Sequence, residues 1–161
     1  MTCGLALCLL AQPAVAGPLD DGKAAYERRN YAKALQLFQP LAEQGDAKAQ
    51  HYLGFMYVNG KGVPQNFAEA VKWYRKAADQ GYAGAQNNLG LMYLKGNGVP
   101  LDYVQAHMWF NLATAGLSVS ETGMRGGAAN QRDAVAKHMT SAQIAEAQRL
   151  AQEWTAAHPK K

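Results

Sequence analysis

The sequence predicts an all-α solenoid of about three helix-pair repeats closed by a C-terminal capping helix. Three observations carry this reading. One stretch of the chain recurs at a fixed interval, its apolar residues fall at helical spacing, and helix start and stop signals occupy matching places in each copy. Ala47–Pro64 reads AKAQHYLGFMYVNGKGVP, and 36 residues later Ala83–Pro100 reads AGAQNNLGLMYLKGNGVP. Ala70, Trp73 and Ala77 likewise return as Ala106, Trp109 and Ala113. A period of this length marks stacked units that bury apolar faces on one another and present surfaces for binding.

Ahead of the repeats lies a separate segment, Met1–Ala16. Its run Leu5–Leu10 is apolar, and Ala14-Val15-Ala16 forms an A-x-A site before Gly17. Length and ending predict an export signal too short to span a bilayer, although no Lys or Arg precedes the apolar run. The expected mature chain, residues 17–161, is then periplasmic or secreted and keeps about 145 residues, enough for one continuous core. Both cysteines, Cys3 and Cys8, fall in the signal. The mature chain therefore has no thiol for disulfides, nucleophilic catalysis or metal ligation.

The first unit spans about residues 20–45. A helix around Asp21–Arg29 is followed by one that starts after Asn30, an N-cap residue type, and carries Ala34, Leu37, Phe38 and Leu41 on one stripe up to Gly45. This unit lacks the Gly-x-Gly-Val-Pro connector, as suits an end unit with a neighbour on one side. In the second unit, about residues 46–81, Ala49, Leu53, Met56 and Tyr57 share a helical face that Gly60 terminates. Asn66 with Glu69 sets a capping box for the next helix, whose stripe is Ala70, Trp73, Tyr74 and Ala77. The third unit, about residues 82–116, repeats the device with Asp102 and Gln105, followed by Ala106, Trp109, Phe110 and Ala113.

Gly54 and Gly90 sit inside helices, where each costs about 1 kcal/mol relative to Ala. Their recurrence predicts a close approach of the partner helix, with the small residues Ala70 and Ala77 around Trp73 as the complementary surface. After the third unit, Ser118–Asn130 contains Gly123, Gly126 and Gly127 and reads as a loop or frayed turn, and Arg132–Met139 as a short helix. Thr140 with Gln143 then opens a final helix carrying Ile144, Ala147, Leu150, Ala151 and Trp154. The closing cap spans about residues 128–156.

The net charge of +4 comes from dispersed basic residues. Nucleic-acid binding needs a clustered stripe that neutralises several phosphates, and none is present. The two Gly-x-Gly loops follow a helix and precede Val-Pro, so they read as turns and not as phosphate loops, which follow a strand and open a helix directly. His51, His107, His138 and His158 show no metal-like spacing, and His107 is expected to face solvent. No Ser-x-x-Lys motif occurs, no cofactor is implied, and the chain reads as non-enzymatic.

These motifs resemble the SEL-one-like repeat family, a subclass of tetratricopeptide repeats. Leu53-Gly54-Phe55-Met56-Tyr57, Gly60-Lys61-Gly62-Val63-Pro64, Trp73-Tyr74, Ala77-Ala78 and their third-unit counterparts carry the resemblance over Ala47–Ala115, with a weaker match over Asp20–Gly45. It implies a right-handed superhelix of helix pairs acting as an adaptor in protein complexes, often exported in bacteria. Some cysteine-rich secreted relatives are associated with β-lactam binding or hydrolysis, but this chain lacks the cysteine pair per repeat that staples them.

Positions that differ between equivalent units are free to read a partner. On the first helices, which in such solenoids line the concave face, Tyr52, Phe55 and Leu91 are candidate apolar anchors. Gln86, Asn87 and Asn88 are candidate polar readers of a peptide backbone, with His51 and Lys95 beside them. The expected function is therefore a protein- or peptide-binding adaptor of the bacterial envelope. The alternative is an envelope enzyme, or a protein that binds β-lactams or peptidoglycan fragments.

Overall fold

A computed structural model describes residues 17–116 and 122–159; the export-signal reading of residues 1–16 lies outside the described residues. The described chain is helical throughout. α1 (Pro18–Glu27) pairs with α2 (Tyr31–Glu43), α3 (Ala47–Asn59) with α4 (Phe67–Asp79), and α5 (Ala83–Lys95) with α6 (Tyr103–Gly116). α7 (Thr122–Ala136) and α8 (Ser141–Ala157) close the array. From α1 to α6 each helix packs on its neighbours in sequence, the arrangement of a helix-pair solenoid.

Local chemistry fixes the boundaries. The side chains of Asn30, Asp46, Asn66 and Asp102 each accept from the backbone N–H three residues on, so one orphan donor is satisfied at each of these helix starts. The reciprocal box closes at Thr140, whose N–H donates to the Gln143 side chain. At Asn66 only half of the expected box forms, because Glu69 pairs with Lys72 on its own helix. Gly60 and Gly96 end α3 and α5 in the left-handed conformation, with φ of 61° and 66°. The second glycine of each loop has a different task. At Gly62 and Gly98 a β-carbon would stand 2.8 Å from the Tyr31 carbonyl oxygen and 2.5 Å from the Phe67 carbonyl. Each connector therefore lies directly on the start of the preceding unit's second helix.

The close helix approach at Gly54 and Gly90 is present, but its partner is not the Ala70/Ala77 surface. A β-carbon on Gly54 would stand 2.6 Å from the Tyr74 ring, and one on Gly90 would stand 2.7 Å from the Phe110 ring. Gly22 meets Phe38 in the same way, at 2.5 Å. Phe38, Tyr74 and Phe110 are spaced 36 residues apart and fully buried. Each unit thus seats one ring on one glycine, and the first unit does so without the connector of its successors. Ala70, Ala77, Leu53 and Met56 complete the core around these contacts.

The C-terminal end departs from expectation. Residues 122–130 are not a loop but the first part of α7, which continues through Ala136. Its three glycines weaken it by about 1 kcal/mol each relative to Ala. Packing compensates: Ala128 and Val135 are buried, and Val135 joins Ala106, Phe110 and Leu91. α8 takes another face of α6, with Ala147 and Ala151 in the core beside Met108, Trp109 and Leu112. α7 and α8 pack on α6 more than on each other. His107 is consequently not solvent-facing but buried on α6, beside Arg132 and Asp133 of α7. Among the described residues no helix is long and apolar enough to cross a membrane.

Candidate functional site

A cavity of about 540 Å³ opens between the first helices of the second and third units and is walled at one end by α7. α3 contributes His51 and Phe55, α5 contributes Gly84, Asn87 and Asn88, and α7 contributes Gly127, Ala128 and Gln131. Gly81, Tyr82, Ala83 and Gly116 also line it. None of these residues carries a carboxylate, amine, thiol or aliphatic hydroxyl. The arrangement can stack rings and exchange hydrogen bonds. Among the described residues no group of His, Cys, Asp and Glu is placed to hold a metal ion.

His51 is the centre of the wall. Its ring lies 5.1 Å from that of Tyr82 and 5.8 Å from those of Tyr52 and Tyr74. Burial pushes the imidazole down to about 4, so it is neutral at physiological pH. Nε2 is 3.0 Å from the amide nitrogen of Asn88. With that amide donating, Nε2 accepts and the proton resides on Nδ1, which is withdrawn from solvent without a partner. Among the described residues the amide oxygens of Asn87 and Gln131 are likewise unpartnered. Phe55, 40% exposed, forms the outer lip and meets the Tyr26 ring edge-on at 6.0 Å.

The sequence pattern of the Sel1 repeat matches residues 15–46, 47–82 and 83–116. The chain belongs to the Sel1 repeat family. Among solved structures it is similar to a protective antigen of uropathogenic Escherichia coli displaying an SLR fold. Identity is 31% and the TM-score 0.79, over 88% of this chain and 30% of that one. A Sel1 repeat protein from Oxalobacter formigenes is 37% identical with a TM-score of 0.59, over 62% of this chain and 40% of that one. The chain thus spans well under half the length of either protein. Comparison with curated proteins finds no match. Sel1 repeat proteins are generally scaffolds for protein interaction.

Of the eight residues singled out in the sequence, the Sel1 array brings His51, Phe55, Asn87 and Asn88 together around the cavity. Tyr52 turns into the packing between units, stacked on Phe38 at 4.7 Å. Leu91 packs beside Phe110 and Val135 under α7. Gln86 is not a surface reader. It is 2% exposed and donates to the Ala78 carbonyl, as Gln50 does to that of Ala42 one unit earlier. Lys95 is exposed in the last turn of α5 and does not line the cavity.

Three of the lining residues missed, Tyr82, Gly84 and Gly116, share one signal, a departure of the third Sel1 unit from the second. Asp46 caps α3, but its counterpart Tyr82 makes no side-chain cap, a loss of about 1 kcal/mol. Lys48 becomes Gly84, where a side chain would press on Tyr82 and His51 at 3.1 and 3.4 Å. Gln80 donates to the Gln50 amide oxygen at 2.8 Å, but its counterpart is Gly116, and the Gln86 oxygen is left unpartnered. All three replacements line the cavity. Local rules broken together at one place mark a site where stability is not the governing constraint.

Proposed function

We propose that the protein is a non-catalytic adaptor of the bacterial envelope that holds a peptide segment of a protein partner in this cavity. The cavity itself carries the reading. It joins a ring-lined wall to a cluster of side-chain amides, and it lies between units of a repeat whose relatives are generally interaction scaffolds. Amides serve a peptide backbone as donor and acceptor together, and exposed rings supply apolar anchorage. Export through residues 1–16 is part of the proposal. α1 begins at Pro18, directly after the predicted cleavage point, so removal of the signal leaves every described element intact.

The test is cross-linked capture from the envelope fraction with the original protein and with a Phe55→Ala/Asn87→Ala variant of unchanged helicity. A partner recovered by the first and lost by the second supports the adaptor; equal recovery by both removes the cavity from the proposal. The protein should be recovered from the envelope fraction with an intact mass corresponding to a chain starting at Gly17; recovery only from the cytoplasm would refute export, and retention of residues 1–16 would refute the cleavage.

A further inference from the structure

We propose that the cavity is a selective pocket for one uncharged side chain, aromatic or branched aliphatic, of the bound segment. The inference rests on the adaptor reading above and names what that site accepts. Half of the twelve described lining residues are glycine or alanine, which leaves the volume open, while Tyr82 and Phe55 supply ring walls. At about 540 Å³ the space falls within the range of small-ligand sites and admits an aromatic side chain with its flanking backbone. Among the described residues no charged group lines it, although the chain as a whole carries +4. A lysine or glutamate drawn into it would lose water and find no counter-charge among the described lining residues.

The differences between units give the pocket its direction. A unit built like the second would place a capping carboxylate, a lysine and a glutamine where Tyr82, Gly84 and Gly116 stand. Each substitution removes charge or bulk from the same cavity and gives up a stabilising contact or a better helix former. On the opposite wall, a β-carbon at Gly127 would meet nothing within 4 Å. The helix α7, weakened by its glycines, is thus small where it faces the space. Among the described residues the amide oxygens of Asn87 and Gln131 have no partner, so turning either toward a backbone N–H of the occupant gives up no bond made within the described structure.

The test is selection of a random peptide display library on the purified mature protein, followed by titration of the selected peptides. The pocket predicts a shared aromatic or branched aliphatic anchor whose replacement by Lys or Glu weakens binding at least tenfold. Two protein variants fill the space from opposite walls: Gly84→Lys, at the register where α3 carries the exposed Lys48, and Gly127→Leu on α7. Both should weaken binding at least tenfold with the helical spectrum retained, and Gly127→Leu decides if Gly84→Lys fails to fold. Peptides that bind but tolerate a charged anchor, or that bind both filled variants at full strength, overturn the pocket and leave the adaptor standing. If selection enriches no peptide, the adaptor reading fails and the pocket with it.

Discussion

The Gly54 backbone lies against the face of the Tyr74 ring so closely that a β-carbon on Gly54 would stand 2.6 Å from two ring carbons. Glycine is retained inside α3 because nothing larger fits between the two helices of the unit. The same contact joins Gly90 to Phe110, which makes it a construction rule of the array.

Gly54→Ala should therefore destabilise, although alanine is the better helix former. Propensity returns about 1 kcal/mol, while overpacking a buried site costs about 1–3 kcal/mol. Tyr74 is 1% exposed and cannot swing into solvent, so the overlap wins. We expect a lower urea midpoint with unchanged slope, and restoration of most of the loss in a Tyr74→Leu background. A stabilised Gly54→Ala protein would show that the helices are free to separate.

Two other glycines should respond in opposite directions. At Gly98 φ is +71° and a β-carbon would meet the Phe67 carbonyl at 2.5 Å; Gly98→Ala should cost about 2 kcal/mol or more. At Gly126, inside α7, a β-carbon would meet nothing within 4 Å. Gly126→Ala should gain about 0.5–1 kcal/mol. Thermal melts of the two variants, read against the original, check the sign of each.

Stability should fall with acid in a window set by His51. Its folded value of about 4 lies below the ordinary 6.5 because burial disfavours the imidazolium. Between those values the unfolded chain binds the extra proton, so stability is complete above pH 6.5 and is lost as pH falls toward 4. The shift is worth on the order of 3 kcal/mol. His107, also lowered by burial and then by Arg132, acts in the same direction. Denaturant midpoints at pH 7.5 and pH 4.5 should differ less in His51→Asn, which borrows the residue found one unit later at Asn87, than in the original chain. An equal difference in both would show that His51 is accessible to protons in the folded state.

The repeat period, the caps and the two connectors were legible in the sequence because each is local chemistry: Asn30, Asn66 and Thr140 announce helix starts, and Gly60 and Gly96 announce ends. The glycine–ring pairs were half legible. Gly54 and Gly90 signalled close approach, but a ring and an alanine surface leave the same periodic trace in sequence, so Tyr74 was not separable from Ala70 and Ala77. The cavity was legible only on its α3 and α5 side. Its far wall was hidden because Gly123, Gly126 and Gly127 argue against a helix, and tertiary packing of Ala128 and Val135 overrides that propensity. The replacement of Asp46, Lys48 and Gln80 by Tyr82, Gly84 and Gly116 acquires a common location only in three dimensions, where the end of α6 lies on the start of α5.

The central claim, that the cavity is where a partner sits, is tested most directly by site-specific photo-crosslinking in cells. Phe55 and Leu101 are both large, apolar and exposed, at 40% and 56%, but only Phe55 lines the cavity. A benzophenone side chain placed at each position in turn should give a discrete protein adduct from position 55 and none from position 101. An adduct from position 101 with none from position 55 would contradict the account.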